Sequence, residues 1–256
     1  MAEATSVSNL ADPPGDRVGA CMVEVPVDSP EWDFVASLVE QRSRRYESHY
    51  RFGMKPLRLW KVLPGRLQRE HRQSAAVLGR PSLLFHGTSP DSVKGILQSG
   101  FRLPRHAGMF GRGIYFAHCP LKSANYATKN PLERLWRYAL GCLVGCVGAC
   151  AVGAPGGGCL GGGFGCWLAH CSYSPQQQQM LLCEVFLGKS RKLRMAMDVN
   201  PSQDLKRGRL PKLLGAGDYN SVHAPEGFWG AVSVAEYIVY QPHQAVPKYV
   251  IEFEQI

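Results

Sequence analysis

Residues 83–101, LLFHGTSPDSVKGILQSGF, set an apolar run directly against a helix start, with His86, Gly87 and Thr88 between them. Leu83, Leu84 and Phe85 read as the end of a buried strand. Ser89 offers a capping hydroxyl, and Pro90 fits the first helical position, where its missing N–H costs nothing. Val93, Ile96 and Leu97 then share one helical face, and Gly100 stops the helix. The stretch is therefore a strand, a tight turn and a short amphipathic helix. It places His86 and Gly87 at a strand end, where ligands commonly bind.

Upstream, VEVPVDSPEWDFVASLVEQR begins as an alternating strand (Val23, Val25, Val27) and continues as a helix capped by Asp28 or Ser29, with Pro30 in its first turn. LRLWKVL at 57–63 is a second strand, and the Arg- and Gln-rich segment after it, to residue 79, carries no clear period. Downstream, glycines 108, 111 and 113 make a loop before a short buried strand ending at Ala117, and PLKSANYAT opens a helix at Pro120. MLLCEVFLG at 180–188, AEYIVYQ at 235–241 and KYVIEFE at 248–254 read as strands, with Pro242 and Pro247 bounding the turn between the last two. Helices in the first half and strands in the second predict an α+β fold with a mostly antiparallel sheet.

At 256 residues the chain is long enough for one sizeable core with a tail. Residues 1–21 carry little apolar material and match neither a secretory signal nor a transit peptide, so they are expected to be a disordered tail on a cytoplasmic or nuclear protein. A net charge of +9 and a pI near 9.2 suit an acidic partner. A diphosphate cofactor, nucleic acid or an acidic polymer would each serve, and so would a solvated basic surface with no dedicated partner.

Nine cysteines, six of them between residues 142 and 171, read as reduced thiols in a chain without a signal peptide. Residues 139–169 hold no charged side chain, and Cys142, Cys146 and Cys150 recur every four residues. A membrane span needs about 20 apolar residues, whereas Pro155 and its glycines interrupt this run sooner. The expectation is an apolar Gly/Cys-rich insertion at about 139–175, not a span.

The motifs FHGT, MFGRGIYFA, KSANYA, LLCEVFLGKS and AEYIVYQPHQAVPKYVIEF occur in the order and spacing of the poly(ADP-ribose) polymerase catalytic domain, and the chain resembles that family over roughly residues 22–256. Its tankyrase-like and small mono-ADP-ribosylating branches are the nearest in pattern. The resemblance implies an ADP-ribosyltransferase-like fold, a split β-sheet core with flanking helices, and NAD as the donor of ADP-ribose to protein acceptors. It implies that His86, Tyr115 and Glu236 form a His-Tyr-Glu catalytic triad, with His86 on the adenosine ribose and Glu236 on the nicotinamide ribose. Gly87 would hold the nicotinamide carboxamide through its backbone and Ser123 through its hydroxyl. Tyr126 would stack on the nicotinamide ring, Tyr115 would form the other wall, and Lys122 fits the same pattern.

Chemistry accounts for these residue types. Breaking the bond between ribose C1 and the pyridinium nitrogen builds positive charge on the sugar, which a nearby carboxylate stabilises. Nicotinamide leaves as a neutral ring, so the site needs a well-shaped pocket more than a general acid. Taken singly, His86 reads equally as a surface histidine, Tyr115 and Tyr126 as packing, and Glu236 as a solvent-facing strand position; agreement across five motifs favours the site.

The resemblance also raises zinc, because tankyrases hold a small three-cysteine, one-histidine site at the place of the insertion. Cys159, Cys166, His170 and Cys171 are the candidates, but His170 and Cys171 are adjacent and no short CxxC pair is present. The site is therefore read without a metal. A catalytically inactive NAD- or ADP-ribose-binding module and an RNA 2′-phosphotransferase are the alternatives, and Glu236 and the GIYFA and KSANY motifs speak for transfer. Glu236 is compatible with polymer growth, and single-unit transfer is the weakly favoured form.

Overall fold

The computed structural model describes residues 18–127, 178–205, 218–227 and 231–256. In chain order these form β1 (Cys21–Glu24), α1 (Pro30–Arg44), α2 (Glu47–Tyr50), β2 (Met54–Leu63), α3 (Arg66–Ala75), β3 (Ser82–Gly87), α4 (Pro90–Ser99), β4 (Ile114–Ala117), α5 (Pro120–Ala124), β5 (Gln178–Val185), β6 (Ser190–Lys192), α6 (Pro201–Asp204), β7 (Ser221–Ala224), β8 (Glu236–Val239) and β9 (Ala245–Gln255). The strands make one nine-stranded sheet in the order β1-β2-β9-β5-β3-β4-β8-β7-β6. Its registered pairs are antiparallel except β6 with β7, which run parallel. The sheet is thus mixed, and the arrangement is α+β as expected.

The split lies between β3 and β4. β3 pairs with β5 along its whole length, from Ser82 opposite Val185 to Gly87 opposite Met180, yet it meets β4 only where Phe85 faces Ala117. Directly opposed residues of an antiparallel pair point to one face. Phe85, Ala117, Glu236 and Ala224 therefore share a face, and their neighbours His86, Phe116, Tyr237 and His223 share the other. α1 and α5 cover the first face, packing Val35, Val39, Leu121 and Ala124 with Phe85, Met180 and Leu182. α4 covers the second, packing Val93 and Leu97 with Leu84, Phe116, Leu181 and Cys183. β5 is buried on both faces from Met180 to Val185, which explains its apolar run Met180–Cys183.

Several elements depart from the sequence expectations. α3 occupies the polar segment after β2, and its buried residues are Gln68 and Ala75, so it carries no apolar stripe to read. It is held instead by a hydrogen bond from Gln68 Nε2 to the Leu97 carbonyl, 2.9 Å. Pro247 lies inside β9, not in the turn, beyond the last residue of β9 that pairs with β2, Tyr249. There its missing N–H takes no bond from that ladder. The strand expected over Val23, Val25 and Val27 ends at Glu24, and of the three only Val25 is buried. Within the expected tail, Ala20 N donates to the Leu97 carbonyl and the Val18 carbonyl accepts from Leu67 N, and Cys21 opens β1. The chain is therefore fixed by Val18, before residue 21.

Residues 128–177, which include the whole apolar insertion and all four zinc candidates, lie outside the described residues. Among the described residues, no helix is long and apolar enough to cross a membrane.

Candidate active site

Where the β3–β4 ladder stops, a side chain takes over. His86 Nδ1 lies 2.8 Å from the Tyr115 carbonyl oxygen, so Nδ1–H donates and Nε2 is left with its lone pair. The ring is wedged between Phe101, 5.2 Å away and edge-on, and Phe116 at 5.3 Å. Burial holds His86 below the ordinary histidine pKa, against the opposing effect of the Tyr115 bond. The imidazole is therefore neutral at pH 7, suited to hydrogen-bonding a hydroxyl and unsuited to being a fixed cation.

Beside it lies a cavity of about 650 Å³, lined by His86, Thr88, Ser92, Ile96, Arg102 and Tyr115 among others. That volume is in the range of small-molecule and cofactor pockets. Ser92, Ile96 and Ser99 reach it from α4 at i, i+4 and i+7, one stripe of that helix, while Val93 and Leu97 are buried in the core. Thr88, Ser92 and Arg102 were not singled out from sequence. For Ser92 the stripe spacing along α4 was the available signal; Thr88 and Arg102 lie outside that helix and have none.

On the other side of the gap, α5 passes against the end of β3. A Cβ built on Gly87 would sit 1.7 Å from the Ser123 carbonyl oxygen, so only glycine allows this approach. Ser123 is itself buried. Pro120 starts α5, and the chain turns after it with Tyr126 N donating to the Ser123 carbonyl, 3.0 Å. Tyr126 is 62 % exposed and presents an open ring face. Its hydroxyl is pushed above the ordinary tyrosine value by partial burial and, second, by the charge of Glu236.

Glu236 opens β8 between Ala117 and Ala224, two small neighbours that leave room around it. Lys122 Nζ lies 2.9 Å from Glu236 Oε1, with both side chains only 11 % exposed. The same ammonium donates to the Val234 carbonyl at 2.7 Å. Lys122 thus holds one carboxylate oxygen and the backbone just before it, an arrangement that fixes the carboxylate's direction.

Tyr115 serves differently from a proton-transfer group. Its hydroxyl donates to the Gly111 carbonyl (2.9 Å) and accepts from Phe110 N (2.8 Å), and burial raises it to about 12. Tyr240 Oη reinforces the loop by donating to the Phe110 carbonyl, 2.6 Å. Tyr115 therefore pins the 108–111 loop and supplies a wall. Tyr50, also not foreseen, packs from α2 onto the cluster containing Cys119 and Ala124. Burial first, then the charges of its neighbours Cys119, Tyr126 and Glu236, raise its pKa.

All seven residues expected to bind NAD or act on it are described. His86 and Tyr115 line the cavity, Ser123 closes on Gly87, and Lys122 pairs with Glu236, whose charge also reaches Tyr126. Among the described residues, no group of three or more His, Cys, Asp or Glu side chains could hold a metal ion.

Comparison with known proteins gives the same direction. A family model described as "Poly(ADP-ribose) polymerase catalytic domain" matches residues 29–255. The chain is similar to "Poly [ADP-ribose] polymerase 2" of Caenorhabditis elegans, 34 % identical over 87 residues that cover 32 % of the chain and 16 % of the relative. It is 47 % identical over 57 residues to "Protein mono-ADP-ribosyltransferase PARP3" of Mus musculus, 22 % of the chain and 11 % of the relative. It is 32 % identical over 126 residues to "Poly [ADP-ribose] polymerase 2-B" of Oryza sativa subsp. japonica, 45 % of the chain and 20 % of the relative. The matched part spans a fifth or less of these relatives' own lengths.

Proposed function

The chain belongs to the poly(ADP-ribose) polymerase catalytic domain family, and from that membership we propose that it cleaves the nicotinamide–ribose bond of NAD and transfers ADP-ribose to protein side chains. The observation that carries the reading is the buried Lys122–Glu236 pair, with Lys122 next in the chain to the Ser123 that closes on Gly87. Adenosine occupies the α4-side cavity, with its ribose on His86. Nicotinamide lies on the α5 side, its carboxamide on the Gly87 backbone and Ser123 and its ring against Tyr126.

As the C1–N bond breaks, its electron pair goes to the pyridinium nitrogen and positive charge develops on the ribose. The Glu236 carboxylate, with Oε1 held by Lys122, accepts from the ribose 2′-hydroxyl and stabilises that charge. The acceptor oxygen then bonds to C1; a hydroxyl acceptor releases its proton to solvent, and a carboxylate acceptor has none to release. Lys122 orients the carboxylate here, a narrower role than binding NAD directly. The catalytic domain runs over residues 22–256 with an insertion at about 139–175, and single-unit transfer is the proposed form.

The test is Glu236→Gln, assayed with labelled NAD. The amide keeps shape and one acceptor, so NAD affinity is expected to stay near that of the parent while turnover falls by the value of one transition-state contact, about 2.7–4 kcal/mol or 10²–10³ in rate. Unchanged turnover would remove the assignment. On a gel, a single shifted band reports single-unit transfer and a ladder reports polymer. A parent chain that binds NAD without releasing nicotinamide is a binding module, and consumption of an RNA 2′-phosphate marks the phosphotransferase.

A further inference from the structure

The catalytic carboxylate opens a strand, and the segment leading into it is tied down at two places. Lys122 holds one, at the Val234 carbonyl two residues before Glu236. The other lies across the sheet. Ala224, the last residue of β7, is the direct cross-strand partner of Glu236, and Glu226 follows two residues later. Tyr46, in the corner between α1 and α2, donates from Oη to Glu226 Oε2 at 2.6 Å. Arg45 pairs with Glu226 Oε1, and its guanidinium lies over the Tyr46 ring, 5.4 Å from the centroid.

This cluster belongs to the α5 side of the site by its connections. Tyr46 packs on the same buried cluster as Cys119 and Ala124, which flank the Lys122–Ser123 turn of α5. The ring is therefore fixed by packing and the hydroxyl by Glu226. Nothing in the chemistry of NAD cleavage needs a tyrosine–glutamate–arginine group. Its geometry suits a brace. β7 contributes only four residues, and the β7–β8 connection must leave it and return to place Glu236 in register with both Ala224 and Ala117. A connection free at its β7 end would let that register breathe.

We propose that Tyr46 and Arg45 are positioning residues for Glu236, acting through Glu226 to fix the outgoing end of β7 against the first residue of β8. The inference rests on the reading of Glu236 as the reacting carboxylate. Small displacements of a catalytic group are costly, because productive geometry tolerates little more than half an ångström. The loss falls on the chemical step and spares the α4-side cavity, which shares none of these residues.

The experiment is a double-mutant cycle on the full chain. Tyr46→Phe keeps the ring and removes only the hydroxyl, and Glu226→Ala removes the acceptor. Each is expected to lower kcat roughly three- to tenfold while KM for NAD and inhibition by free nicotinamide stay within about twofold. The double variant is expected to be no worse than the weaker single, since both remove one contact. Glu226→Gln, which keeps an acceptor oxygen, should recover part of the Glu226→Ala loss. An unchanged kcat in Tyr46→Phe overturns the proposal, as do losses that multiply in the double variant or appear in KM. A lower melting temperature with unchanged kcat well below it is the purely structural result and also overturns it. Glu236→Gln, run alongside, fails or holds on its own account: if it retains turnover, the catalytic reading falls whatever the cycle gives.

Discussion

Gly87 has the strictest requirement of any residue in the site, because the Ser123 backbone occupies the place where any side chain would begin. That contact brings the two sides of the proposed NAD site together at one peptide and divides the labour of its neighbours. His86 lines the α4-side cavity and donates to Tyr115, whereas Tyr126 stands beyond α5 with its ring open. The two should therefore respond differently to truncation. Tyr126→Ala is expected to weaken free nicotinamide and NAD together, by about 0.5–1.5 kcal/mol beyond the lost contact area, the usual worth of an aromatic pair. His86→Ala is expected to weaken NAD by about 1 kcal/mol, one net hydrogen bond, and to leave free nicotinamide unchanged. Titration calorimetry with both ligands reads the difference. Equal effects of the two substitutions on nicotinamide would show that the division is wrong.

The helix that carries the cavity stripe is defined at both ends by single residues. Ser89 caps α4 through a hydrogen bond from Ser92 N, and Gly100 ends it at φ 73°, ψ 178°, a conformation nearly closed to side chains. The Gly100 site also faces His71 of α3, whose ring would lie 3.0 Å from a new Cβ. Gly100→Ala is therefore expected to destabilise the fold by about 1–3 kcal/mol, read as a lower midpoint in urea with an unchanged slope. A variant as stable as the parent would mean that the turn relaxes freely. These same features made α4 legible, since a cap, a first-turn proline, an apolar stripe and a stopping glycine all agreed. α3 was not legible because its stability comes from Gln68 bonding to α4 and from the ion pair of Arg72 with the buried Glu184, neither of which leaves a hydrophobic period. β6 and β7 were missed for a related reason. They are three and four residues long and gain their order from pairing with each other and with β8.

At the scale of the molecule, the motif residues could be placed from sequence because each sits near a strand end or on or just after α5, next to a glycine, proline or apolar run that marks the element. Tyr46, Tyr50 and Glu226 could not, since their importance lies in contacts between segments far apart in the chain, with Tyr46 and Glu226 separated by 180 positions. Long-range contact also governs the response of the fold to acid. Burial is the first cause that holds His71, His86, His118 and His223 below the ordinary histidine value of about 6.5, with His243, Arg42 and Lys192 adding to it at His71, His118 and His223 respectively. In the unfolded chain these four take up protons as the pH falls through about 6.5, while in the folded chain they stay neutral to lower pH. The unfolded state then binds more protons, so stability declines as the pH drops below that value and is flat above it. Glu252, raised by burial, works in the opposite sense, and Glu24 and Glu31, lowered by Arg58 and by Tyr249 and Lys61, work in the same sense, but carboxylates act nearer their own range around pH 4. Between about pH 7 and 5.5 the histidines set the slope. Thermal melts at constant ionic strength should accordingly show a melting temperature that is level from pH 8 to about 7 and falls towards 5.5. His86→Gln, neutral at every pH, should make that fall shallower. A melting temperature that holds or rises on acidification would show that the four histidines are protonated in the folded protein, and the neutral His86 on which the adenosine-side geometry depends would go with them.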